Sequence, residues 1–268
     1  MTSQPSGTPD TPSTQAVDLV GGDLELTGRI MPASNATFVG HIGDIEIVYK
    51  PVSGEQPLWD FPDGNLAQRE AAAYVISEVF GWNVVPHTWL RDGPMGIGMV
   101  QLWQDTDPEQ DAVELIASGT MPDEGWCHVF DGFDGQDRRV SLIHEDSPEL
   151  RRMAVFDIVV NNADRKGGHV LEMAGGHRHG IDHGLTFHVE HKLRTVLWGW
   201  RGQSLYADEL DGVRRVRTAL GGELLDTLDT LITVPEIAAL SARCDRLLAK
   251  GTFPSPRGQM PAIPWPPF

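Results

Sequence analysis

The sequence predicts an α+β fold in two lobes, a small β-rich N-lobe followed by a mainly helical C-lobe. Three observations carry this expectation. Extended segments bounded by Gly and Pro dominate the first part of the chain. A single long helical pattern, Leu66 to Phe80, interrupts them. From Ser147 onward, helix caps and stops replace strand signals. A length of 268 residues with 40% hydrophobic content suffices for one large domain or two lobes around a substantial core. The expected division is a leader over 1–16, the N-lobe over 17–102, the C-lobe over 103–250 and a Pro-rich tail over 251–268.

The leader is rich in Pro, Ser, Thr and Gly and is expected to be disordered. It has neither the basic nor the apolar region of a signal peptide. "DLELTGRI", Asp23 to Ile30, reads as a strand, followed by the loop "MPASNA". "TFVGHI" and "IEIVYK", joined at Gly43-Asp44, read as a β-hairpin. Pro51 ends the second strand, and Ser53 to Asp63 reads as loop. The helix over 66–80 is capped by Asp63 or Asn65 and stopped by Gly81. On its wheel Glu70 falls near Leu66, Ala73, Ser77 and Phe80, so a carboxylate sits on a packed face and needs a partner.

Asn83 to Gly93 and Gly96 to Trp103 are two further strand candidates. The acidic, glycine-rich stretch Asp105 to Asp137 is expected to be loop with one short helix near Ala112 to Ala117. Ser147 and Pro148 start a helix that runs to Asn161 or Asn162. Short strands near "HVLEM" and "HGID" flank Gly175-Gly176. Leu205 to Lys250 reads as helical with breaks at Gly221-Gly222 and Pro235, and the tail as polyproline-like chain draped over the surface.

The net charge of -17 repels nucleic acid and anionic lipid at long range. A local basic cluster with a divalent cation can still hold an anionic substrate. No apolar run approaches the ~20 residues of a membrane helix, and no basic amphipathic anchor is evident. The two cysteines, Cys127 and Cys244, lie far apart and form neither a disulfide framework nor a thiolate site. The expectation is a cytoplasmic monomer with no nucleic-acid partner and no stable membrane association.

Four polar residues call for a common explanation: Lys50 at a strand end, Glu70 on a packed face, Asp164 in "NNADRKGGH" and Asp182 in "GIDHG". Lys50 and Glu70 can pair, and two acids can supply a base and a metal ligand. Phosphoryl transfer from ATP, which depends on positioning and charge neutralisation, uses such a set. Asp157 and Asn161, four apart on the helix leading in, are expected to fix the loop's geometry. The five histidines His177, His179, His183, His188 and His191 match no zinc-binding spacing. They are expected at the surface, with His183 the one able to touch phosphate or metal.

"FDIVVNNADRKGGHVL" followed by "GIDHGLTF" resembles the catalytic and metal-binding loops of the phosphatidylinositol 3-/4-kinase superfamily, a pattern shared by HipA-type toxin kinases. From Val17 to Lys250 the chain resembles a bacterial family labelled phosphatidylinositol 3-/4-kinase-like, of unassigned substrate. The resemblance implies a two-lobed protein-kinase-like fold with ATP and Mg2+ or Mn2+ between the lobes. It makes Asp164 the catalytic base, followed by Arg165 in the lipid-kinase order, and Asp182 the metal-binding aspartate. Lys50 becomes the phosphate lysine and Glu70 its partner. "MPASNATF" takes the phosphate-covering position, with Ser34, Asn35 and Thr37 as donors in place of glycines. "MVQLW" falls at the hinge, where Gln101 and Leu102 offer backbone groups to adenine and Met99 and Trp103 are apolar neighbours. The family has a metal-binding asparagine where this chain has His169. Imidazole shifts preference from magnesium toward manganese, so His169 and Asp182 are the expected ligands.

The function expected is an ATP- and metal-dependent phosphotransferase whose acceptor is a small molecule, a lipid headgroup or a protein, including the chain itself. Two alternatives stand beside it: a nucleotide-binding pseudokinase module, and an AMP transferase on the same fold.

Overall fold

A computed structural model describes residues 17–31, 35–257 and 261–268. The leader over 1–16 lies outside the described residues. The chain is α+β, with a β-rich sheet first and helices later.

Five antiparallel strands form the first sheet, in the order β1-β2-β3-β5-β4. They are β1 (Leu24–Arg29), β2 (Phe38–Ile42), β3 (Ile45–Pro51), β4 (Thr88–Gly93) and β5 (Gly96–Leu102). The β2–β3 hairpin turns at Gly43, whose φ of 61° suits glycine. Its register sets Phe38 against Tyr49, and the next ladder sets Lys50 against Met99. A small core of Leu24, Ile42, Ile47, Tyr49 and Val100 holds this sheet together. Lys50 therefore leaves a well-packed strand near its end, one residue before Pro51.

Helix α1 (Leu66–Phe80) lies between β3 and β4 in the chain. Asn65 Oδ1 accepts from Gln68 N at 2.8 Å and Gly81 closes the helix at φ 68°. A larger apolar cluster joins α1 through Ile76 and Phe80 to Met153, Phe156, Val159 and Trp200. The helix that carries Glu70 is thus anchored in the main core.

The stretch expected to be loop with a short helix is instead a three-stranded antiparallel sheet, ordered β6-β8-β7. Its strands are β6 (Val113–Ala117), β7 (Trp126–Phe133) and β8 (Arg139–Glu145). Leu115 and Phe133 on the outer strands are exposed, while Ser141 to His144 of central β8 are buried. Pairing with β8 is non-local and overrides the local pattern, which does not separate core from solvent faces on β6.

Helix α2 (Pro148–Val160) follows, capped by Ser147 and ended at Asn161 in the left-handed region, φ 57°. A two-stranded ribbon, β9 (Val170–Glu172) and β10 (Arg178–Gly180), precedes α3 (Ala207–Ala219), α4 (Glu223–Asp229) and α5 (Val234–Lys250). Pro235 sits in the first turn of α5, where Thr233 and Glu236 form a capping box. The tail returns over the helical part. Ala262 O accepts from Trp198 Nε1 at 2.8 Å, and Pro267 O accepts from Gly167 N at 2.8 Å. The Phe268 ring fills the space a side chain at 167 would need. Among the described residues no helix is long and apolar enough to cross a membrane.

Candidate active site

The loop after α2 is built from the inside outward. Asn161 donates to His188 O (2.9 Å) and Glu190 O (2.6 Å) and accepts from Lys192 N (3.0 Å). Asn162 donates to Asp157 Oδ1 at 2.9 Å and accepts from Asp164 N at 2.9 Å. Asp157 and Asn161 thus hold the loop's geometry, as the sequence implies.

Arg165, which the resemblance sets among the catalytic residues after Asp164, is wholly buried. Its guanidinium meets both oxygens of Asp157, Nε to Oδ2 at 2.8 Å and Nη2 to Oδ1 at 2.9 Å. Nη1 donates to the carbonyls of His169 (2.9 Å) and Ile181 (3.1 Å), and Nη2 to His183 Nε2 (2.7 Å). A buried ion pair persists only with such complete hydrogen bonding. Arg165 is a positioning residue that joins the Asp164 loop to the segment carrying Asp182.

His183, expected near phosphate or metal, is likewise fully buried, against the edge of Phe156. It accepts from Arg165, and burial followed by the Arg165 charge pushes its pKa well down. His179 is also buried rather than on the surface. Neither inward turn follows from spacing, because the partners come from other segments: Arg165 and Glu70 for His183, Val84 O for His179.

Lys50, Glu70, Asp182 and His169 come together. Lys50 Nζ lies 2.6 Å from Glu70 Oε1 and 2.9 Å from Asp182 Oδ1. Glu70 is 2% exposed, and its Oε2 accepts from His183 N at 2.8 Å. Both oxygens of this buried carboxylate are therefore satisfied. Asp182 has φ 60°, a conformation that Asp tolerates better than most residues. Its side chain is 49% exposed. The Lys50 charge holds Asp182 far below the usual carboxylate range. Burial pulls the Lys50 pKa down, but Asp182 and Glu70 outweigh it and raise it overall.

His169 Nδ1 lies 2.8 Å from the carbonyl oxygen of Asp164, and its Nε2 is 3.3 Å from Asp182 Oδ2. The Asp164 carboxylate is partly exposed, 3.2 Å from Lys166 Nζ. Nε2 of His169 and Oδ2 of Asp182 are suitable donors for one divalent ion. No group of three or more His, Cys, Asp or Glu able to hold a metal occurs among the described residues. The donor set fits an ion that completes its shell with phosphate oxygens and water, not one in a closed protein cage.

The nucleotide-side expectations fare differently. Ser34 lies outside the described residues. Asn35 Oδ1 accepts from Gln56 N at 2.8 Å, and Thr37 is buried with Oγ1 toward Asn35 O at 3.4 Å. These bonds tie Asn35 to Gln56 and Thr37 to Asn35. Glu55, which the sequence reading passed over, accepts from Leu66 N (2.8 Å) and Ala67 N (2.9 Å) at the start of α1. An acid before a helix start was the available signal. Met99 is fully buried, and Gln101 is buried with Nε2 on Thr88 Oγ1 at 2.8 Å. Leu102 N already donates to His87 O, and Leu102 O accepts from Gln104 Nε2. β5 is an interior strand and uses its backbone in the sheet. Trp103, 40% exposed, is the apolar group presented at the strand's end.

Compared with curated proteins, the chain is 49% identical over 263 residues to Protein Rv2133c of Mycobacterium tuberculosis, covering 93% of this chain and 94% of that protein. The chain belongs to the Rv2133c family. No protein-family profile matches it. Among solved structures it is similar to the Helicobacter pylori proinflammatory kinase CtkA, with a TM-score of 0.46 and 13% identity over 88% of this chain and 95% of that one. A likeness of that depth carries no argument about function, which rests on the site itself.

Proposed function

We propose that this Rv2133c-family chain is an ATP- and divalent-metal-dependent phosphotransferase of the phosphatidylinositol 3-/4-kinase-like type, with its site between two lobes. The observation that supports it most is the shared salt bridge of Lys50 with buried Glu70 and half-exposed Asp182, with His169 on the far oxygen of Asp182. A buried acid that fixes a lysine beside an exposed acid is suited to binding polyphosphate.

In this reading Glu70 orients Lys50, and Lys50 neutralises the nucleotide phosphates. Asp182 and His169 are the residues that would hold the divalent ion, which when bound neutralises charge on the phosphate oxygens. Asp164 accepts the proton of the acceptor hydroxyl. That oxygen bonds to the γ-phosphorus while the bond from phosphorus to the β–γ bridging oxygen breaks, and ADP departs. Lys166, 3.2 Å from Asp164, balances charge on the acceptor side. Arg165 keeps the loop in place through Asp157. The acceptor is a hydroxyl on a small molecule, a lipid headgroup or a protein. The net charge of -17 opposes tight docking on an anionic membrane and favours a soluble acceptor or protein.

The test is incubation with ATP and Mn2+ or Mg2+, followed by nucleotide analysis and intact mass. Wild type consumes ATP, and Asp164→Asn binds nucleotide without turnover. An adenylyl adduct would instead mark AMP transfer. Unchanged turnover in Asp164→Asn would overturn Asp164 as base.

A further inference from the structure

The Asp164 loop is gripped by residues from far along the sequence. Gly167, three residues after Asp164, donates its N–H to Pro267 O at 2.8 Å. The edge of the Phe268 ring occupies the place that a Cβ at 167 would take. Gly167 is not among the glycines of positive φ, so its backbone is one that other residues adopt. The missing side chain makes room for the ring, not for a turn.

Within the loop the contacts are short. Lys166 Nζ lies 3.2 Å from the Asp164 carboxylate. His169 N donates to Lys166 O at 3.2 Å, and His169 Nδ1 donates to Asp164 O at 2.8 Å. A shift at Gly167 is therefore passed to both Asp164 and His169.

The same tail holds the loop a second time, through an intermediate segment. Arg165 N donates to Arg194 O and Val196 N to Arg165 O, both at 3.1 Å, so residues 194–196 run beside Arg165. On their other side Thr195 N donates to Ala262 O at 3.0 Å, and Trp198 Nε1 reaches the same oxygen at 2.8 Å. Ala262 and Ile263 pack on the main core, and Pro264 and Pro267 are buried. Pro264, Pro266 and Pro267 have fixed φ, so this segment loses little freedom when it docks.

We propose that residues 262–268 are a strap over the Asp164 loop, and that Phe268 is a positioning residue for transfer. The strap is anchored at Ala262 and seated on Gly167. Without the ring Gly167 is freed, and Asp164 and His169 lose their fixed places. Lys50, Glu70 and Asp182 are held by other elements and stay put. The ordering of the loop stands by itself; its effect on the rate rests on the phosphotransfer reading.

The test compares wild type, Phe268→Ala, Phe268→Leu, Gly167→Ala and Gly167→Ala/Phe268→Ala, all as full chains. Hydrogen–deuterium exchange over residues 165–170 reads the loop, ATP turnover reads transfer, and calorimetry reads ATP affinity. Phe268→Ala should speed exchange and lower kcat about tenfold or more, the scale of a small misplacement of reacting groups. ATP affinity and the urea midpoint should stay at the wild-type values. Phe268→Leu keeps an apolar group on Gly167 and should keep most of the rate. Gly167→Ala pushes the ring away and should match Phe268→Ala, and the double variant should cost little more, because both changes break one contact. Exchange unchanged in Phe268→Ala would overturn the strap. Faster exchange with unchanged kcat would overturn the positioning role, as would two single losses that multiply in the double variant. A wild type without ATP turnover would instead sink the phosphotransfer reading, and exchange alone would then judge the strap.

Discussion

His169 donates from Nδ1 to the backbone carbonyl of Asp164, 2.8 Å away. A carbonyl can only accept, so Nδ1 carries the hydrogen and Nε2 presents its lone pair toward Asp182 Oδ2. The loop closes on itself, and this closure points the imidazole at the place where an ion would sit.

The first prediction concerns that imidazole. Nitrogen in the donor set disfavours hard magnesium, so ATP turnover should be faster with Mn2+ than with Mg2+. His169→Asn, which restores an oxygen donor, should narrow the difference. Steady-state rates in the two metals decide it; equal rates, unchanged in His169→Ala, would contradict the assignment.

Lys50 has no substitute in the site. Lys50→Met should lower turnover by about 10²–10³-fold, the usual scale for removing one preorganised electrostatic contact. Glu70→Gln can still accept from His183 N but loses the charge that holds Lys50, so its loss should be smaller and its fold intact by circular dichroism. A Lys50→Met protein with wild-type turnover would remove the lysine from the mechanism.

Arg165 tests positioning against catalysis. Arg165→Met leaves Asp157 buried and unpaired and should cost about 3–5 kcal/mol in urea denaturation. Arg165→Lys should rescue little, since one ammonium cannot span both Asp157 oxygens and the carbonyls of His169 and Ile181. An Arg165→Met protein of normal stability but no activity would point to a direct catalytic contact instead.

His144 governs a pH effect. It accepts from Gly199 N at Nε2 (3.0 Å) and meets Glu145 O through Nδ1 (2.8 Å), which fixes the neutral tautomer. Burial lowers its pKa to about 4. Between its unfolded value and about 4 the unfolded chain takes up a proton that the folded chain refuses. Stability is therefore fully present above about pH 6.5 and falls as pH drops toward 4. The loss approaches about 3 kcal/mol for this group. His179, also lowered to about 4 by burial, acts in the same direction. Urea midpoints at pH 7.5 and 5 should fall for wild type and fall less for His144→Gln; an equal fall in both would exclude His144.

Much of this was legible because it is local. Asn65 and Gly81 frame α1, and the wheel places Glu70 inward. Ser147 with Pro148 starts α2, and the run from Asn161 to His169 is polar where a helix ends. The rest depends on partners far away in the chain. Val113 to Ala117 is a strand because β8 pairs with it. Arg165 is buried because Asp157, His169, Ile181 and His183 surround it. Leu102 gives its N–H to His87, fifteen residues back in the chain. None of these is written in neighbouring residues.

The most direct measurement is calorimetric binding of ATP with and without Mn2+ or Mg2+, in wild type, Asp182→Asn and Asp164→Asn. Asparagine keeps the left-handed backbone at position 182, so the fold should survive. The account predicts metal-dependent ATP binding by wild type, its loss in Asp182→Asn and its retention in Asp164→Asn. Failure of wild type to bind ATP with either metal would contradict it.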